Sequence, residues 1–348
     1  MYDIVGKRNW YFVFSALITI PGLIFILIGG LRPSVDFTGG TVWQVRFAER
    51  PAAEEVQAAL IELGHPEAEV RQQADGFLEI RTDPIGLLPP QTPTPSVSLA
   101  PSVSGLPATS PRPTPSSPLP SPSPGVAPPQ EGTEFRELET ALESRFGAAD
   151  TPSVTTVGPL IGSELIRSSV ILIVVGELFI LGYLWLRFGF RFGTAAIVAL
   201  LHDVIVVVGI FAVLGYFFDI EFDALFVSAL LTIIGFSVHD TIVVFDRIRE
   251  NRIRHAGESF GAIVNHSILQ TMARSIITSV TVLATLFALL LLGPPTIRTF
   301  TLALVLGVVS GTYSSIFNAS QLLVAWYEWD AKRKARVGAA KAVRPLSR

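Results

Sequence analysis

Six stretches of the chain run apolar for about twenty residues or more, separated by short polar joints and one long polar insertion. They are Asn9–Leu31, Ile166–Leu186, Phe192–Phe217, Ala224–Phe245, Ala273–Leu292 and Phe300–Trp326. At 1.5 Å per residue each can cross a hydrocarbon layer of about 30 Å as a helix. The first is longer than a signal-peptide core and lacks a clear small-residue cleavage site, so it reads as a retained span. Composition agrees with a membrane protein: 49% of the 348 residues are hydrophobic and 16% charged, against about 25% charged in an average soluble domain. No cysteine is present, which excludes disulfides, thiolate metal sites and cysteine nucleophiles.

The placement of basic residues orients the spans. Lys7 and Arg8 precede the first, and Arg187 and Arg191 separate the second and third. Arg247, Arg249, Arg252 and Arg254 follow the fourth, and Lys332, Arg333, Lys334, Arg336, Lys341, Arg344 and Arg348 follow the sixth. The opposite joints carry Asp219, Glu221 and Asp223, with Arg298 as the basic exception. Positive charge is retained in the cytoplasm, so both termini are expected there. Four regions follow: 1–31 with the first span, an external segment 32–165, a bundle 166–326, and a basic cytoplasmic tail 327–348.

The external segment holds two materials. Alternation in Thr41–Phe47 (Trp43, Val45, Phe47) and Phe77–Arg81 (Leu78, Ile80) predicts strands, with further strands near Ala68–Gln72 and Ser153–Val157. Helical spacing of Val56, Leu60 and Leu63 in Ala52–Leu63, and of Phe135, Leu138, Leu142 and Phe146 in Glu131–Phe146, predicts two helices. The order β-α-β-β-α-β is that of a small α+β ferredoxin-like domain. Between its third strand and second helix lies Pro84–Pro129, with 16 of the chain's 25 prolines and a single charge, Arg112. Such a composition predicts a disordered or loosely extended spacer.

An ionisable side chain near the bilayer centre costs about 2.5–3.5 kcal/mol on insertion scales, so those within spans point to function. They are Glu177, His202, Asp203, His239 and Asp240, with Arg274 opening the fifth span. Small or polar stripes accompany them: Ser228, Thr232, Gly235 and His239, with Ser237 one turn before Asp240; Arg274, Thr278, Thr281 and Thr285; and Gly307, Gly311, Ser314 and Asn318. All three stripes are expected to turn inward, where small residues allow close packing and hydroxyls supply hydrogen bonds. Depth suits an Asp240–Arg274 pair, in which moving the guanidinium alters the proton affinity of the carboxylate. Blander readings exist for each group: a snorkelling anchor for Arg274, a static packing pair for Asp240, and a structural hydrogen-bond cluster for His202–Asp203. For Glu177 the blander reading is a protonated side chain bonded within the bundle.

Several motifs together resemble the SecF family of protein-export membrane subunits. They are Val35-Asp36-Phe37-Thr38-Gly39-Gly40-Thr41, Leu201-His202-Asp203-Val204, and Ile234-Gly235-Phe236-Ser237 followed by the run Asp240–Asn251. Gln270-Thr271, Arg274-Ser275 and the stretch Gly307…Gly311-Thr312…Ser314-Ser315 complete the set. The resemblance implies a six-span, RND-half membrane unit in the bacterial cytoplasmic membrane that pairs with SecD. It also implies attachment to the SecYEG channel, often with YajC, and use of the proton-motive force after SecA has pushed the preprotein. Asp240 and Arg274 match the family's essential intramembrane pair, with a second aspartate expected from SecD, and Asp36, Phe37, Gly39 and Gly40 belong to the motif opening the external domain. The expected relay is Asp240, Arg274, His239, His202 and Asp203, with Gly307, Gly311, Ser314 and Ser315 packing helices. His239 stands where the family usually has asparagine, and the proline-rich insert departs from the family pattern.

Two rival readings follow from the residues. An RND-type exporter of small molecules or lipids would carry two six-span halves, where this chain has one. An intramembrane aspartyl protease would pair Asp203 with Asp240, yet neither sits in a Gly-x-Gly-Asp setting. No G-x-x-x-x-G-K-[ST] loop is present, so nucleotide chemistry has no support. No cofactor, catalytic residue or metal site is expected. The basic runs are accounted for by topology or anionic lipid rather than nucleic acid.

Overall fold

The computed structural model describes residues 3–72, 76–85, 133–157 and 159–343. In chain order the elements are α1 (Arg8–Leu27), β1 (Arg32–Pro33), α2 (Val35–Thr38), β2 (Gly40–Phe47), α3 (Ala53–Glu62), β3 (Glu69–Gln72), β4 (Leu78–Thr82), α4 (Glu134–Phe146) and β5 (Ala149–Val157). There follow α5 (Pro159–Phe188), α6 (Phe190–Phe218), β6 (Glu221–Phe222), α7 (Ala224–Arg254), α8 (Phe260–Leu292), α9 (Arg298–Ser314), a π-helical turn (Ser315–Ala319) and α10 (Ser320–Val343). The chain divides into two compact units, 1–38 with 162–348, and 39–161.

The smaller unit is built on the four-stranded antiparallel sheet β3-β4-β2-β5. Its connectivity gives the ferredoxin-like order expected from the alternation pattern. Trp43, Val45 and Phe47 of β2 and Leu78 and Ile80 of β4 are buried against Val56 and Leu60 of α3 and Phe135, Leu138, Leu142 and Phe146 of α4. Trp43 meets Phe135 edge to face, ring centroids 4.8 Å apart. Leu63, expected on the α3 stripe, is exposed, because α3 ends at Glu62. Strand β5 starts four residues earlier than the pattern suggested, the register against β2 shifting between Gln44 and Arg46. Thr133 caps α4 by accepting from the Arg136 N–H. Of the proline-rich stretch only Pro84 and Ile85 fall among the described residues; Ile85 is buried, its N–H donating to Thr41 Oγ1 at 2.8 Å.

Among the described residues the larger unit holds six helical stretches long and apolar enough to cross a membrane: Val5–Leu27, Gly162–Phe188, Phe190–Phe218, Ala224–Arg254, Phe260–Leu292 and Arg298–Val337. Helices α7 and α8 run beyond the apolar limits read from the sequence, which placed the edges at Phe245 and Ala273. The extensions pack on each other: Ile248, Val264 and Ile268 are buried together, and Asn251 Nδ2 donates to Ser267 Oγ and Gln270 Oε1, both at 2.9 Å. The arginines after span four therefore sit on a continuing helix. Tertiary packing carries α7 on where hydropathy stops.

Glycines set two close helix crossings. A Cβ on Gly22 of α1 would fall 2.8 Å from Gly209 Cα of α6, so these backbones touch. A Cβ on Gly307 of α9 would meet the Ile233 side chain of α7. The Gly22–Gly209 contact has no sequence signal beyond two isolated small residues in apolar runs.

At one end of this unit β1 and β6 pair in parallel, and Arg32 bridges Asp219 at 2.6 Å. Asp36 Oδ2 accepts from the Ala224 N–H at 3.0 Å and Asp223 Oδ1 from the Phe226 N–H at 2.9 Å. Two carboxylates thus satisfy donors left open at the N-terminus of α7. Burial, added to by the neighbouring Asp36, holds the Asp223 carboxyl above its ordinary value near 3.8. Between that value and the raised one the folded chain binds more protons than the unfolded chain, so this group's contribution to stability falls as pH rises through the folded value. Asparagine caps equally well without ionising. The melting temperature of Asp223→Asn relative to the parent should therefore be higher at pH 7 than at pH 4, read by thermal unfolding of the full chain in detergent.

Candidate functional site: buried carboxylates among hydroxyls

Asp240 lies on the inward face of α7, 6% exposed. Its Oδ1 accepts from Ser275 Oγ of α8 at 2.7 Å, and its Oδ2 is sealed from solvent with no partner among the described residues. Arg274, the expected partner, is exposed and makes no ion pair among the described residues. Successive residues of a helix point about 100° apart. The turn of α8 that brings Ser275 to Asp240 therefore carries Arg274 round to the outer face.

That rotation applies to the whole helix. Thr271, Ser275 and Ser279 are the buried stripe of α8, whereas Arg274, Thr278, Thr281 and Thr285 are exposed. On α7, Ser237, Asp240 and Thr241 are buried, and Ser228, Thr232, Gly235 and His239 are exposed. Two of the three stripes expected to face inward thus face outward in this chain. The third behaves as expected, with Gly307, Gly311, Ser314 and Asn318 all buried. Gly311 lies over Ser237, a Cβ there coming 3.1 Å from Ser237 Cβ. Ser315 bonds Thr241 Oγ1 at 2.9 Å and donates to the Gly311 carbonyl at 2.8 Å.

Asp203 of α6 is the most heavily bonded group of the bundle, 1% exposed. Ser310 Oγ donates to its Oδ1 at 2.8 Å, and Ser237 Oγ and Ser314 Oγ donate to its Oδ2 at 2.6 and 2.5 Å. His202 Nδ1 lies 3.2 Å from Oδ1. The other ring nitrogen, Nε2, shares a hydrogen bond of 2.5 Å with Ser15 Oγ of α1. One carboxylate and its imidazole therefore tie together α1, α6, α7 and α9. Ser15 and Ser310 escaped the sequence reading, being single hydroxyls in apolar runs; Ser275 was visible only as a neighbour of Arg274. Asp203 and Asp240 do not bond each other, each being engaged by different serines. Glu177 Oε1 is buried without a partner among the described residues.

The motif around Asp36 is divided by the structure. Asp36 and Phe37 belong to the larger unit, where Asp36 holds the α7 N-terminus. Gly39 and Gly40, both at positive φ (77° and 132°), begin the smaller one. Only glycine adopts the second of these backbones readily.

Six apolar helices with an inserted ferredoxin-like unit, and carboxylates buried among hydroxyls in the bundle, define the class as a polytopic helical membrane protein. Residues 137–329 match the family model described as protein export membrane protein SecD/SecF, C-terminal. The chain is 46% identical over 341 residues to the protein translocase subunit SecF of Thermobaculum terrenum, covering 96% of each. It is 35% identical to that of Anaerolinea thermophila, covering 98% and 99%. The crystal structure of SecDF from Thermus thermophilus superposes with a TM-score of 0.73 at 32% identity, over 94% of this chain and 39% of that one. The chain belongs to the SecF family of protein translocase subunits.

Proposed function

We propose that the chain serves the Sec export machinery, joining a SecD subunit to couple proton flow across the cytoplasmic membrane to preprotein translocation. SecD as partner is supported by relatives that carry both parts in one chain: a Thermus thermophilus protein named SecDF aligns with 96% of this chain over 39% of its own length. It is supported physically by the open polar faces of α7 and α8. Hydroxyls, His239 and the Arg274 guanidinium are costly against lipid, and a second six-span unit laid on these faces covers them. SecYEG, SecA and YajC complete the assembly in this reading. The termini and the basic end of α10 lie in the cytoplasm, and the ferredoxin-like unit and the proline-rich insert lie outside.

The observation that carries proton coupling is Asp240, a sealed carboxylate with one serine donor and one free oxygen, beside an arginine on a neighbouring face. Protonation and pairing are alternatives for such a group. His239 stands one residue away on the partner-facing side and Asp203 one helical turn away through Ser237, so the relay comprises these groups with Arg274. Vesicles containing SecYEG, this chain and its SecD should complete translocation of a stalled preprotein when a proton gradient is imposed after ATP is removed. Equal completion in vesicles lacking the chain overturns the reading.

A further inference from the structure

We propose that His202, paired with Asp203, is a second proton-binding site of that relay, distinct from Asp240, and that Ser15 and Asn318 form a reversible hydrogen-bond chain carrying its charge state to α1. This rests on the proton-coupled reading above and deepens it. Asp203 is sealed at 1% exposure, whereas the His202 side chain is 16% exposed. His202 lines two cavities, of about 310 and 140 Å³, which also share Ser15. The imidazole is thus the member of the pair that reaches the cavities, with the carboxylate enclosed behind it.

The donors and acceptors align in one direction. Asn318 Nδ2 donates to Ser15 Oγ at 3.3 Å. With the ring proton on Nδ1, facing Asp203, the Ser15 hydroxyl is the donor to His202 Nε2. This is the arrangement of a neutral ring, protonated at Nδ1 only. A proton taken up on the Nε2 lone pair makes that nitrogen a donor, so Ser15 Oγ becomes the acceptor and its hydroxyl needs a new partner. Asn318 Oδ1 is that partner. It is buried with no partner among the described residues, and a half-turn of the amide brings it to where Nδ2 now stands. The same half-turn removes an N–H that lies 3.4 and 3.5 Å from the two ring nitrogens. The chain then runs from Nε2–H through Ser15 to Asn318, with every group paired. No covalent bond other than the N–H is made.

The surroundings leave His202 to Asp203 alone. Helix α1 presents Ser15; α7 presents Ser237, with Asp240 a turn further. Helix α9 presents Ser310, Ser314 and Tyr313, whose hydroxyl donates to the Tyr11 carbonyl at 2.8 Å. Among the described residues no lysine or arginine pairs with either group.

The test is nitrogen NMR of histidine-labelled full chain in lipid nanodiscs, with His202→Gln assigning one of five histidines. The His202 ring-nitrogen signals are expected to pass from the neutral to the doubly protonated pattern on acidification, and to do so equally in Asp240→Asn. The midpoint should move by about 0.5–1 pH unit in Asn318→Leu, the size of one hydrogen bond gained or lost, and by more than about 1 unit in Asp203→Asn. If Asp203→Asn does not accumulate, Asn318→Leu carries the test. An absent titration, an unmoved midpoint in Asn318→Leu, or a shift in Asp240→Asn as large as in Asp203→Asn overturns the proposal. Export by Asp240→Asn is a separate readout, so the coupling role of Asp240 stands or falls independently.

Discussion

On the proposed coupling, Asp240→Asn should abolish the export driven by a proton gradient while the chain still inserts and assembles with a SecD partner. Asparagine keeps the shape of the side chain and, through Oδ1, the acceptor that Ser275 donates to at 2.7 Å, so the α7–α8 contact survives. It removes the ability to exchange a proton and to alternate between a charged and a neutral state. One elementary charge crossing 100 mV supplies about 2.3 kcal/mol, a bias of roughly 50-fold between two states of a moving element. Without a titrating group that bias has nothing to act on, and proton-stimulated translocation in vesicles should fall to the level without a gradient. Arg274→Met gives the same loss if the outward guanidinium returns toward Asp240 during the cycle. Full activity of Arg274→Met identifies Arg274 as an anchor, and normal gradient-driven export by Asp240→Asn removes the carboxylate from the mechanism.

Whether a feature could be read beforehand depended on the physical pattern that encoded it. The spans were legible because length and apolarity are properties of a whole stretch, and the small domain because Trp43, Val45 and Phe47 alternate while Phe135, Leu138, Leu142 and Phe146 follow the helical period. Helix rotation was not. On α8 two stripes at four-residue spacing are both polar, Thr271–Ser275–Ser279 and Arg274–Thr278–Thr281–Thr285, and only the first is buried. In a soluble protein the more polar stripe faces out, but in hydrocarbon polarity marks any face that meets protein, including a partner's. The Asp240–Arg274 pairing rests on depth and on the family resemblance, and depth fixes height along a helix while leaving its azimuth free. Ser15 offered even less, since one hydroxyl in an apolar span has no period and its role appears only when His202 is placed against it.

Close packing of the bundle supplies the other large effect, because α7, α8 and α9 must hold serines within hydrogen-bond reach of Asp203 and Asp240. A methyl group on Gly307 would overlap Ile233 Cγ1 and Cδ1 and fall 2.7 Å from its Cγ2, far inside contact distance. Overpacking of this kind costs about 1–3 kcal/mol, and Gly307→Ala should lower the unfolding temperature of the full chain in detergent accordingly. The obstacle is the side chain of Ile233, fully enclosed between α7 and α9. Ile233→Ala leaves a cavity on its own, yet combined with Gly307→Ala it should be less harmful than the two penalties added, a coupling of opposite sign to each single change. The Gly22–Gly209 crossing gives the contrast. There a Cβ on either glycine meets the partner's Cα, at 2.8 and 2.7 Å, and no side chain can be trimmed to make room. Gly22→Ala and Gly209→Ala should each destabilise, and together do worse than either alone by pushing α1 from α6 and stretching the Ser15–His202 bond. Equal behaviour of the two double mutants would mean that the helices shift freely and that the serine–carboxylate geometry is not held by packing.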